Sequence, residues 1–146
     1  MRSVLEFISL ISVGLSVGVV LSHVLKSTNK ARLPAGGFLM SQQVLLANWQ
    51  VSVGSIEALA LVSTLGATVI RIQQDGSAFA SVLASALLIL MFVVWLIWIR
   101  PINKAVNAWT VDSIPSDWKT TRDRWERLHA VRCVCGLLAF GLLALT

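Results

Sequence analysis

Three runs of apolar residues, roughly Val4 to Leu25, Val51 to Ile70 and Ala78 to Ile99, dominate the chain, and its polar residues gather mainly between them. At about 1.5 Å of rise per helical residue, each run is long enough to cross roughly 30 Å of hydrocarbon. The third carries no charge along its length. A fourth run, Leu128 to Thr146, is short in its purely apolar part, Cys133 to Leu145, so this span has to include His129 and Arg132. The pattern predicts an all-α integral membrane four-helix bundle, one domain over residues 1–146 with spans at about 4–25, 51–70, 78–99 and 128–146.

The fourth helix is expected to begin well before the membrane. Pro115 precedes a start near Ser116 or Asp117, where Asp117 suits an N-terminal cap. Asp123 with Arg127 and Arg122 with Glu126 have salt-bridge spacing. Along this helix Trp118, Arg122, Trp125, His129 and Arg132 recur at steps of four and three, which puts them on one face. That face is either an interfacial anchor of Trp and snorkelling Arg or one wall of a site.

The first connection, Leu33 to Trp49, has Pro34 and Gly36-Gly37 for a turn, followed by Phe38, Leu39, Gln42, Gln43, Leu45, Leu46 and Trp49. These residues predict a short interfacial helix.

Composition agrees with the membrane reading. Hydrophobic residues make up 56% of the 146 and charged residues 13%, and mean hydropathy is +0.79; these values exclude an ordinary soluble domain. Arg2 precedes the first run as in a secretory signal. However, the run is too long, carries Glu6, and ends in Ser22 to Lys26 without a small-x-small cleavage site, so it reads as a retained helix. Lys26, Lys30, Arg32, Arg100, Lys104, Lys119, Arg122, Arg124 and Arg127 fall in or beside the first and third connections, leaving Arg2 and Arg71 for the other side. That bias predicts that the two connections face the cytoplasm and both termini lie outside, as in a multi-pass protein of the bacterial inner (cytoplasmic) membrane. The basic residues adjoin spans, and no nucleic-acid module is present.

Small residues at close-packing spacing, Gly14 with Gly18, Gly54 with Ala58, Ala80 with Ala84 and Ser81 with Ser85, suit helix contacts in lipid. Cys133 and Cys135 are two apart on a helix, so their side chains diverge and read as small apolar packing. Ser9, Ser12, Ser16 and His23 form a polar stripe on the first helix. Glu57 lies roughly 10 Å along the second, sharing a face with Gln50, Gly54, Thr64 and Thr68. An intramembrane carboxylate marks either a functional site or a structural partner, here of Arg132 or Lys104. In an up-down bundle His23, Glu57, Asn103, Asn107, His129 and Arg132 fall towards one membrane face, where a polar pocket roofed by the connections is expected.

The pieces R-P-I-N-K-A-V-N-A-W at Arg100 to Trp109, R-D-R-W-E-R-L-H-A-V-R at Arg122 to Arg132, and S-H-V-L-K with the later F-L-M-S-Q-Q resemble the small four-span anthrone oxygenase-like family. The resemblance covers nearly the whole chain in span layout. Its specific elements are P-x-N after the third span and W-x-x-x-H-x-x-R on the fourth, at Asn103, Trp125, His129 and Arg132. Lys26 departs from the acidic residue expected after S-H-V-L.

The resemblance implies oxidation of, or oxygen insertion into, a lipophilic phenolic or anthrone-like aromatic. In a metal-free version His129 is the base, Arg132 stabilises the anion, Asn103 orients, and Trp125, Asn107, Trp109 and Gln43 contact substrate. In the alternative, His23, Glu57 and His129 hold a single non-haem metal, either iron, copper or zinc. The competing reading is a non-enzymatic scaffold, a lipid-binding bundle or a transporter accessory subunit, in which Glu57 and Arg132 pair to fix register. Such a bundle is compatible with a homo-oligomer. Four spans without an inverted repeat argue against an autonomous transporter.

Overall fold

The structure, a computed structural model, describes residues 2–75 and 78–146. Helices α1 (Arg2–Lys30), α2 (Ala35–Met40), α3 (Trp49–Asp75), α4 (Phe79–Val94), α5 (Arg100–Asn107) and α6 (Trp118–Ala144) follow in order. A π-helical stretch, Ser41–Leu45, extends α2, and a second, Trp95–Ile99, joins α4 to α5 without a break. Four rods result, α1, α3, α4 with α5, and α6, each long and apolar enough to cross a membrane. The apolar runs mark these rods correctly but understate their length, because polar ends such as Ser27 to Lys30 and Trp118 to Arg127 continue the backbone ladder beyond the hydrocarbon.

The rods form a ring in which α1 packs on α3 and α6, and α4 packs on α6 and α3. Val13, Val17, Val20, Ala60, Ala84, Leu88, Met91 and Ala139 fill its centre with Cys133 and Cys135, both free. Outward residues such as Phe7, Leu15, Val62 and Leu138 are exposed, as lipid-facing positions require.

Small-residue packing is selective. A Cβ at Gly14 would lie 3.2 Å from Phe140, but Gly18 and Gly54 have open space around them, so those expected contacts do not form. The tightest approach is at Gly136, where a Cβ would lie 2.8 Å from Val17 Cγ2. The hydroxyls also bridge helices, with Ser9 to Thr64 at 2.6 Å and Thr68 to Ser85 at 3.2 Å.

Asp117 takes the position before α6 without a side-chain capping bond. The anticipated i, i+4 ion pairs on α6 give way to other partners. Arg122 bonds Asp123 Oδ1 and the Ala31 carbonyl, and Glu126 is held by Lys30 at 3.2 Å. The reason is burial: Arg122 faces inward against the end of α1, and cross-helix acceptors lie there. Gly36 and Gly37 fall inside α2, which starts directly after Pro34. Phe38 and Leu39 of this helix are buried against Val106 and Trp118, so α2 covers the end of the bundle. Asn48, at φ 62, makes the left-handed turn from the roof into α3, a conformation Asn tolerates. At the opposite end Arg71 bonds Glu6 at 2.7 Å and the Thr146 carbonyl at 2.8 Å.

Candidate functional site

Between the rods, at the end carrying the first and third connections, lies a cavity of about 570 Å³. Each rod contributes to it. The α1 rod supplies His23, and α3 supplies Gln50, Gly54 and Glu57. Trp95, Ile99, Asn103 and Asn107 come from the α4–α5 rod, and Trp125, His129 and Arg132 come from α6. Gln42, Gln43 and Leu46 of the roof segment and Trp49 at the start of α3 add to its lining. The predicted face of α6 is real: Trp118, Arg122, Trp125, His129 and Arg132 are all buried, and the last three reach the cavity.

The deep end is an ion pair. Arg132 Nη2 donates to Glu57 Oε1, Arg132 Nε donates to the Met91 carbonyl at 3.2 Å, and Ser16 Oγ donates to Glu57 at 3.4 Å. Of the two partners anticipated for Glu57, the structure gives Arg132. The guanidinium expected to face an anion is therefore largely committed to protein acceptors.

Above this pair the walls are aromatic. His23 meets Trp49 and Trp125 edge-on, each at 5.2 Å between ring centres. His129 lies 4.1 Å from Trp125 and 4.8 Å from His23. Trp125 is fixed at both ends of its function: Nε1 donates to Asn103 Oδ1 at 2.8 Å, and the Lys30 ammonium sits 4.7 Å from its ring centre. Lys30 Nζ is also 3.4 Å from His23 Nδ1.

Among the described residues, the buried side-chain polar atoms without a hydrogen-bond partner are Gln42 Nε2, Glu126 Oε2 and both ring nitrogens of His129. Buried polar groups in folded proteins are nearly always satisfied, so an imidazole with both nitrogens unspent on a cavity wall is a group available to a ligand.

The sequence-predicted residues divide as follows. His23, Glu57, Asn103, Asn107, Trp125, His129 and Arg132 all line the one cavity, and Gln43 touches it. Trp109 does not. It packs against the cluster of Phe38, Leu39, Val106 and Trp118, and its carbonyl accepts from Gln43 Nε2 at 2.9 Å. Gln43 also donates to the Val106 carbonyl at 3.0 Å, so its amide is a clip between roof and α5. The His23, Glu57 and His129 ligand set is not assembled: among the described residues no three His, Cys, Asp or Glu side chains gather at metal-binding distance. Glu57 is occupied by Arg132, and the cationic Lys30 and Arg132 flank the imidazoles. Gln42 and Trp49, expected only as part of the roof segment, and Trp95, which the sequence does not single out, also line the cavity. Trp95 sits in an unbroken apolar run with nothing to mark it, and in sequence Gln42 is not distinguishable from its neighbour Gln43.

Comparison with curated proteins and with solved structures gives no match. Residues 47–142, which take in α3, α4, α5 and most of α6 with Asn103, Trp125, His129 and Arg132, match the anthrone oxygenase family model, and the chain belongs to that family.

Proposed function

We propose that the protein is a membrane-embedded oxygenase of lipophilic, electron-rich aromatics of the phenolic or anthrone class, with His129 as its base. The observation that carries this reading is the His129 ring, buried, with neither nitrogen bonded, beside Trp125 on the wall of a cavity large enough for a tricyclic ligand. A scaffold would fill this space with side chains. The cavity lies at the end bearing most of the Lys and Arg, which in this reading faces the cytoplasm.

His129 takes a proton from the acidic C–H of an anthrone, and that bond's electron pair delocalises onto the ketone oxygen as an enolate. One electron passes to dioxygen, and the superoxide couples with the carbon radical to form a C–O bond. The peroxide anion recovers the proton from the imidazolium. Loss of water, taking the second hydrogen of that carbon, leaves a quinone carbonyl, so one oxygen atom enters product and the other enters water. Trp125 and Trp49 flank the ring system, and Asn103 holds Trp125 in place.

Oxygen uptake with 1,8-dihydroxyanthrone by protein in lipid nanodiscs tests the reading. His129→Ala is expected to lower turnover by roughly 10² to 10⁴ while the bundle stays folded. A folded His129→Ala protein that keeps wild-type turnover would leave the scaffold reading in front.

A further inference from the structure

Two adjacent glutamines in the roof behave differently. The Gln43 amide is spent on the Val106 and Trp109 carbonyls. Gln42 lines the cavity, is 8% exposed, and leaves Nε2 without a partner. Both glutamines lie in the π-helical stretch Ser41–Leu45, and the second such stretch brings Trp95 and Ile99 to the same cavity. Distortions of this kind recur at functional sites. A buried amide donor without an acceptor is costly, and among the described residues the His129 nitrogens are the other fully buried, unpartnered polar atoms on this cavity. Its wall thus carries a fully buried amide donor and a fully buried imidazole, neither of them spent within the protein. Gln42 lies outside the stretch 47–142 that matches the family, so its assignment rests on this chain's own geometry.

We infer that Gln42 reads an oxygen of the ligand: its Nε2 donates to the ring carbonyl of an aromatic ketone and to the oxyanion which that carbonyl becomes. The inference rests on the oxygenase reading above. In the enolate-forming step the C–H proton goes to His129 and the electron pair moves onto the ketone oxygen. Gln42 keeps its hydrogen and only strengthens its bond to that oxygen as charge builds. Arg132 Nη2 and Nε are already spent on Glu57 and the Met91 carbonyl at the deep end, whereas the Gln42 donor is spent on nothing. The expected ligand class is therefore a flat aromatic bearing a carbonyl, in preference to a hydrocarbon of the same outline.

The test compares anthraquinone with anthracene, which has the same three rings and no oxygen, by quenching of tryptophan fluorescence in nanodiscs. Gln42→Leu is expected to weaken anthraquinone binding about tenfold, the effect of one hydrogen bond, and to leave anthracene binding unchanged. Gln42→Met, an unbranched side chain without the donor, should do the same, and thermal unfolding of both variants should stay close to wild type. A preference for the ketone that neither substitution alters overturns the inference. Oxygen uptake with 1,8-dihydroxyanthrone separates the two readings. Uptake that proceeds unchanged in Gln42→Leu removes Gln42 and spares the oxygenase. No uptake by wild type, with a Gln42-dependent ketone preference intact, removes the oxygenase and spares Gln42.

Discussion

Trp125 Nε1 donates to Asn103 Oδ1 at 2.8 Å, tying α6 to α5 across the cavity wall. The indole that this bond orients contacts both imidazoles, so its position sets the width of the space between His23, His129 and the roof. Asn103→Leu removes the acceptor and leaves the indole N–H unsatisfied, which should cost about 1–3 kcal/mol of stability. Turnover should fall with it, through a wall that is no longer held. Thermal unfolding and steady-state oxygen uptake on the same preparation check both effects. An unchanged KM and kcat in a destabilised variant would confine this bond to a structural role.

The Arg132–Glu57 pair is buried on both sides, with side chains 3% and 8% exposed. Removing one partner strands the other charge in a low-dielectric interior. Arg132→Met or Glu57→Leu alone should therefore cost on the order of 3–5 kcal/mol. The double variant, which leaves no charge unpaired, should recover most of that loss. Unfolding measured across the four-protein cycle decides the point, and additive losses in the double variant would show that the two groups do not depend on one another.

Two glycines on the packed rods, Gly136 buried and Gly18 exposed, make opposite predictions. At Gly136 a Cβ would meet Val17 Cγ2 at 2.8 Å with Met91 behind it, whereas at Gly18 it would meet nothing within 4 Å. Gly136→Ala overpacks a close contact between α6 and α1 and should cost about 1–3 kcal/mol. Gly18→Ala should be neutral or slightly stabilising, since Ala also favours helix over Gly. Equal effects at the two positions would mean that α1 and α6 do not meet as described.

The spans and the shared face of α6 were legible because both follow from period and length: an apolar run fixes a rod, and steps of four and three fix which side chains point together. The convergence of His23, Glu57 and His129 was legible too, from their depth along antiparallel rods. Partner choice was not. Arg122 bonds Asp123 and the Ala31 carbonyl, and Glu126 bonds Lys30, because contacts across helices depend on rotation of one rod against its neighbour. The same limit hides the difference between the neighbouring glutamines, both on the cavity, of which Gln43 is spent on the Val106 and Trp109 carbonyls and Gln42 Nε2 has no partner. It also explains Trp109, which follows Asn107 closely but lies past the end of α5, where the chain turns away from the cavity.

Trp109 and Trp125 separate packing from the site. Trp109 supports the cluster under α2 and contributes only its carbonyl to Gln43, so Trp109→Leu should lower stability by roughly 1–3 kcal/mol and leave KM and kcat near wild type. Trp125→Leu removes a ring lying 4.1 Å from His129 and 5.2 Å from His23, and it breaks the Asn103 bond. Loss of that flat wall should raise KM for 1,8-dihydroxyanthrone about tenfold or more, since one aromatic contact with its hydrogen bond is worth on the order of 1.4 kcal/mol or more. Steady-state kinetics beside thermal unfolding, on both variants, give the comparison. If Trp109→Leu raises KM as much as Trp125→Leu does, the ligand is held nearer the third connection than the cavity described here, and the assignment of His129 falls with it.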